Sequence, residues 1–168
     1  MPDKPRVDVV FLGSDHGGFA LKEHLAAFLG RAGYLVKNLG THGTDAVDYP
    51  DFAMLVAQAT AEAQVRGLVA RGIMIDAVGL ASSMVCNRVP GIRSAPCWDE
   101  FSVRSAREHN DANLLTLGGR VLGTSLAERI VELFLTVPFG GDRHLRRVRK
   151  IHELAGEVPP AGMDRAGR

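Results

Sequence analysis

The chain is short of cysteine, of net charge and of long apolar runs, and each shortage removes a class of protein. Two cysteines, Cys86 and Cys97, in 168 residues are too few for a disulfide framework. Both lie in apolar surroundings typical of reduced, buried thiols, which sets the expectation of a cytoplasmic protein. A formal net charge of +1, from 20 basic and 19 acidic residues, gives no field that would draw in nucleic acid or an anionic membrane. Any anion binding has to be local. No window approaches the roughly 18 to 20 apolar residues of a membrane span. Met1 to Arg6 mixes Asp, Lys, Arg and two prolines without an apolar signal region, so no export is expected. There is no internal repeat and no interdomain linker.

The familiar nucleotide loops are missing too. Gly13-Ser14-Asp15-His16-Gly17-Gly18 has neither the Gly-x-x-x-x-Gly-Lys spacing of a phosphate loop nor the Gly-x-Gly-x-x-Gly of a dinucleotide site. A flavodoxin-like cofactor carrier is the weaker reading, and purified protein without bound flavin absorbance would count against it.

What is present is a globular composition, 46% hydrophobic and 23% charged with 19 glycines, at a length that suits one domain. The expected layout is an N-terminal extension over 1–6, a domain over 7–155 and a tail over 156–168. With Pro159, Pro160 and no periodic apolar residues, that tail is expected to be disordered. Val7 to Leu12 reads as a strand, Phe19 to Leu29 as an amphipathic helix, Tyr34 to Leu39 as a second strand and Asp51 to Gln64 as a second helix. Leu68 to Ile75, Gly91 to Ala95 and Leu114 to Leu117 supply three more strands, alternating with helices over Ser82–Arg88, Glu100–His109 and Ser125–Leu135. A last helix, Arg143 to Leu154, is basic at its start and carries Val148, Ile151 and Leu154 as an apolar stripe. This alternation predicts an α/β, three-layer αβα sandwich with a Rossmann-like five-stranded parallel sheet of order 2-1-3-4-5.

In that order the first and third strands are neighbours, and their carboxyl ends open a crevice. Asp76, ending the third strand before Ala77-Val78-Gly79-Leu80-Ala81, then stands beside Asp15 and His16. Each also has a plainer reading: Asp76 caps the turn, Asp15 caps the first helix and His16 is solvated. Arg143 and Arg147, four apart with His144 adjacent, form a face able to grip a phosphate, and Arg120 in Leu117-Gly-Gly-Arg120 is placed to join them. The alternative is a solvated basic face. His109, near a helix C-terminus, is either a cap or a proton donor and acceptor near neutral pH.

With these residues in view, the chain resembles the ribose-5-phosphate isomerase B and galactose-6-phosphate isomerase family from about Val7 to Leu154. The marks are Gly13-Ser-Asp-His-Gly-Gly-Phe-Ala-Leu-Lys22, Asp48-Tyr49-Pro50, Asn87-Arg-Val-Pro-Gly-Ile-Arg93, Arg107-Glu-His-Asn-Asp-Ala-Asn113, Leu117-Gly-Gly-Arg120 and Gly140-Gly-Asp-Arg-His-Leu-Arg-Arg147. The resemblance implies an aldose–ketose isomerase of phosphorylated sugars that works through an enediolate without metal or cofactor. It implies that Asp15 and His16 hold the sugar, His109 opens its ring, and Asn110 contacts substrate and intermediate. Arg143, His144 and Arg147 match sugar- and phosphate-binding positions, with Arg120 beside them. Homodimers or homotetramers whose sites draw on both subunits are implied as well.

One stretch departs from the family. Where the ribose-phosphate enzymes typically end the strand in Cys-Gly-Thr-Gly, this chain has Asp76 at the Cys position and Val78 at the Thr position, and Ser82 at the position where others carry a Glu base. Ile75-Asp-Ala-Val-Gly79 is instead similar to the A subunit of galactose-6-phosphate isomerase, whose B subunit carries the usual cysteine. Asp76 becomes the candidate base, improved if burial raises its pKa, with backbone amides from Val78, Gly79, Leu80 and Ala81 supporting the oxyanion. The alternatives are a catalytically impaired subunit with a paralogous partner, or a sugar-phosphate-binding protein without turnover.

Overall fold

The structure, a computed structural model, describes residues 6–158. Most of the N-terminal extension, and the tail from Pro159 onward, lie outside the described residues. The order of elements is β1 (Val9–Ser14), α1 (Phe19–Arg31), β2 (Val36–Asn38), α2 (Tyr49–Val65), β3 (Ala70–Asp76) and α3 (Leu80–Cys86). It continues with β4 (Ser94–Pro96), α4 (Glu100–Asn110), β5 (Leu114–Gly118), α5 (Thr124–Thr136) and α6 (Asp142–Leu154).

All strands are parallel, and both faces of the sheet are covered. The central strands are therefore apolar on both sides, and period-two alternation sorts their side chains between two cores. Ile73, Ile75, Leu115 and Leu117 face the larger core, where Leu21, Leu25 and Leu29 of α1, Val103 and Ala106 of α4, and Ile130, Val131 and Phe134 of α5 meet them. Met74 and Leu114 point the other way, onto Ala53, Val56 and Ala57 of α2 and Cys86 of α3. This is the three-layer αβα sandwich expected.

The strand order is a correction: it runs β2-β1-β3-β5-β4, not 2-1-3-4-5. The reason lies in the two strands exchanged. Every residue of β5 is buried, so it takes the interior place beside β3. β4 is three residues of intermediate burial ending in Pro96, which has no N–H to give a ladder and so belongs at an edge. The β1–β3 junction is untouched by the exchange: Asp15 N donates to Ile75 O at 3.1 Å, so the two loops of the crevice leave side by side.

Two glycines set how closely those loops nest. A Cβ on Gly18 would come within 2.2 Å of Ile75 O, and Gly79 enters α3 at φ 90°, a conformation that L side chains rarely adopt. The apolar stripe expected on α6 is also corrected. Val148 and His152 are the buried residues, four apart on one face, whereas Ile151 is 50% and Leu154 80% exposed. At the start of the tail, Glu157 is held by Gly91 N at 3.0 Å and by His152 Nδ1 at 2.8 Å.

Candidate active site

The loops after β1, β3 and β5 converge at the carboxyl edge of the sheet. Asp15, buried, accepts through Oδ1 from Gly18 N at 2.9 Å, closing the turn into α1. His16 is exposed, and its Nδ1 accepts from Val47 N at 3.2 Å. With Nδ1 accepting that bond, Nε2 carries the proton of the neutral ring. Gly119 N donates to Asp76 O at 2.8 Å and Arg120 N to Ala77 O at 3.1 Å, which stitches the third loop to the second and sets Arg120 in the open beside it.

Asp76 is 5% exposed, and both its carboxylate oxygens are engaged. Oδ1 accepts from Val78 N at 2.8 Å and from Gly79 N, while Oδ2 accepts from Ser82 N at 3.0 Å and from Ser82 Oγ. Burial by itself pushes this carboxyl upward. The Ser82 hydroxyl and the amides of Gly79, Val78 and Ser82 outweigh it and hold Asp76 below the usual carboxylate value. The condition set for a stronger base, a pKa raised by burial, is therefore not met in the free chain, and the plainer turn-capping role is present, filled by amides that could otherwise face a ligand. Val78 and Leu80 are 54% and 45% exposed, and Ala81 is half-buried.

A second cluster forms where α4 meets α6. His109 and Asn110 are exposed in the last turn of α4. The His109 ring does not cap the helix; it pairs with Ser105 Oγ at 3.2 Å and stacks on His144 with centroids 4.4 Å apart and planes 15° off parallel. Arg143 Nε donates to His144 Nε2 at 3.4 Å, and Gly140 N donates to Glu108 O at 2.9 Å. Glu108, His109, Gly140, Asp142, Arg143 and His144 line a cavity of about 290 Å³. Partial desolvation and the charges of His109, Arg143 and Arg147 lower the His144 pKa. Arg147, one helical turn beyond Arg143, is exposed on the same face.

Within one chain these clusters stay apart. α4 runs back to the amino end of β5, whereas Asp15, Asp76 and Arg120 sit past the carboxyl ends of the strands. The five residues of β5 alone put on the order of 13 Å between the two ends. The sequence argument picked the residues of both clusters but missed what holds the second: Arg93, Arg107 and Asp111 were visible only as parts of motifs, and His152 and Glu157 not at all. A histidine four residues after Val148, on the buried face of a basic helix, was the signal available.

Comparison with known proteins places these features. Residues 10–151 match the model of the Ribose/Galactose Isomerase family. Ribose-5-phosphate isomerase B of Escherichia coli is 39% identical over 84% of this chain and 93% of that protein. The LacA 1 subunit of galactose-6-phosphate isomerase of Streptococcus pyogenes is 36% identical over 87% of this chain and 99% of that one. Among solved structures, ribose-5-phosphate isomerase B of Clostridium thermocellum superposes with a TM-score of 0.83 at 47% identity, covering 88% of this chain and 97% of the other. With a family model spanning nearly the whole parallel sheet and a relative 39% identical over 84% of the chain, the chain belongs to the ribose/galactose isomerase family.

Proposed function

We propose that this chain is a cofactor-independent aldose–ketose isomerase of phosphorylated sugars, of the ribose 5-phosphate/ribulose 5-phosphate kind, working through an enediolate in a cytoplasmic setting. The observation that carries the reading is an imidazole held against a cationic anchor: His109 stacks on His144, and Arg143 donates to His144. Such a corner grips a phosphate with Arg143, Arg147 and His144 while His109 moves a proton to and from the ring oxygen.

Chemistry at the sugar carbons belongs to the carboxyl edge. Asp15, His16 and, from the other cluster, Asn110 hold hydroxyls, and Arg120 adds charge for the phosphate. Asp76 is the candidate base for the proton alpha to the carbonyl. The Val78 and Gly79 amides that now hold its Oδ1 are the donors an enediolate oxygen requires, with Leu80 and Ala81 following in the same turn. A substrate oxygen that takes those donors releases the carboxylate from them, and a carboxylate with fewer donors is more basic. The hydroxyl absent at Val78 costs on the order of 10²-fold if it is a lost oxyanion donor.

Because the clusters lie at opposite ends of one sheet, a complete site takes the carboxyl-edge loops of one copy and the α4–α6 corner of another, in a homodimer or homotetramer. Leu80 and Met84, one turn apart on α3 and 45% and 68% exposed, offer apolar surface beside the crevice of the sort a second copy covers. The test is conversion of ribose 5-phosphate to ribulose 5-phosphate by the purified chain alone, beside a panel of tetrose, pentose and hexose phosphates. Turnover on one of them supports the reading. Binding without turnover on any of them replaces it with a subunit that awaits a paralogous partner, or with a binding protein.

A further inference from the structure

α6 joins the body through Phe139-Gly140-Gly141, and Gly141 has φ 59°, so the backbone leading into the helix does little to fix its direction. At its near end the helix is tied by the His109–His144 stack and by Gly140 N to Glu108 O. One tie leaves a hinge; a second, further along, fixes an angle. His152 stands eight residues beyond His144, about 12 Å along the helix axis.

The second tie is Arg93. α4 ends on Asp111 in the left-handed region, φ 45° and ψ 44°, which turns the last carbonyls outward. Arg93 Nε donates to Asn110 O at 3.1 Å and Asp111 O at 3.0 Å, and Nη2 donates to Asp111 O at 2.7 Å and Asp111 Oδ2 at 3.0 Å. Its remaining Nη1 meets His152 Nε2 at 3.0 Å. A guanidinium only donates, so Nε2 of His152 accepts, and the proton on Nδ1 goes to Glu157 Oε2 at 2.8 Å. Arg107 holds the other carboxylate oxygen of Asp111 at 2.8 Å, and half-buried Arg71 adds its charge to the same cluster. The Arg93 side chain is 9% exposed and His152 1%, and both spend their polar atoms on these protein partners.

The two arms of one planar fork thus sit on the two helices that carry the second cluster. We propose that Arg93, seated through His152, is a positioning residue that sets the span between His109 and Asn110 on α4 and Arg143 and Arg147 on α6. It holds the group that handles the sugar ring at a fixed distance from the groups that hold the phosphate. A lysine cannot replace it, since an ammonium has no fork to bridge both helices.

The inference rests on the isomerase reading for its kinetic arm alone, because the placement of His144 can be read without turnover. The experiment compares Arg93→Lys, His152→Leu and His152→Gln with the parent chain. It follows the NMR titration of His144, the affinity for inorganic phosphate, kinetics on ribose 5-phosphate and thermal unfolding. In Arg93→Lys and His152→Leu the stack should open and the His144 midpoint rise toward the ordinary 6.5. Their kcat should fall on the order of 10- to 100-fold, since a misplacement near 1 Å has that effect, while inorganic phosphate, which spans nothing, binds as before. His152→Gln, whose amide accepts from Arg93 and donates to Glu157, should restore the parental titration and rate. An unmoved His144 midpoint in folded Arg93→Lys overturns the proposal, as does phosphate affinity falling in step with the melting temperature in all three. A parent inert on every sugar phosphate of the panel removes the isomerase reading and leaves the His144 titration to decide this one.

Discussion

Ser82 reaches back across the entry to α3 and gives Asp76 two bonds to the same oxygen, one from its amide at 3.0 Å and one from its hydroxyl. With the Gly79 and Val78 amides, the pair explains why a buried carboxyl is held low: together the donors favour the charged form by more than desolvation disfavours it.

Ser82→Ala should therefore destabilise the fold by roughly 1.5–3 kcal/mol at neutral pH, the usual worth of a hydrogen bond to a charged group. The sign with pH follows from a depressed folded value. The stabilisation is fully present above the ordinary 3.8 and is lost as pH falls through the folded pKa below it. Urea unfolding of parent and variant at a series of pH values should show the gap constant down to mildly acidic pH and closing beneath it. A gap that widens on acidification would contradict the assignment.

Asp76→Asn keeps the size and removes the base, while turning an NH2 toward one pair of the four donors that the carboxylate accepts from. If the carboxylate takes the sugar proton, kcat should drop by about 10²- to 10⁴-fold, the range of general-base contributions. Phosphate affinity should be unmoved, since the variant leaves Arg120, Arg143, His144 and Arg147 in place. Parental turnover in this variant would remove Asp76 from proton transfer and leave it the turn cap alone.

Splitting the site between copies makes a complementation test. Asp76→Asn damages the carboxyl-edge half and His109→Asn the other, and each should be nearly inert alone. Unfolded and refolded together in equal amounts, random dimers would contain one intact site in every mixed pair, so about a quarter of parental activity should return. No recovery, with mixed dimers demonstrated, would mean that each site is built within one chain.

The two thiols should be silent in the folded protein. Burial pushes Cys86 up to about 12 and Cys97 to about 11, so scarcely any thiolate exists at pH 8. Iodoacetamide should label neither until urea is added, and then both. Labelling of Cys86 under native conditions would mean that the α2–α3 contact opens locally.

Much of this was legible in the sequence because it is local. The alternation of apolar runs and amphipathic stretches determined the parallel sheet and its helices, and the turn Gly13 to Gly18, the pair Arg143 and Arg147 and the His109 segment marked both clusters. Tertiary structure alone decided the rest, because it depends on competition between segments far apart. β5 displaced β4 from beside β3 since only one of them could fill an interior place with a fully buried strand and a complete set of N–H donors. Whether burial raised or lowered Asp76 turned on where Val78, Gly79 and Ser82 aimed their donors. The fork of Arg93 between Asn110, Asp111 and His152 joins residues 17 to 59 positions apart. No periodicity in a chain records such a meeting, because it exists only once the helices have packed.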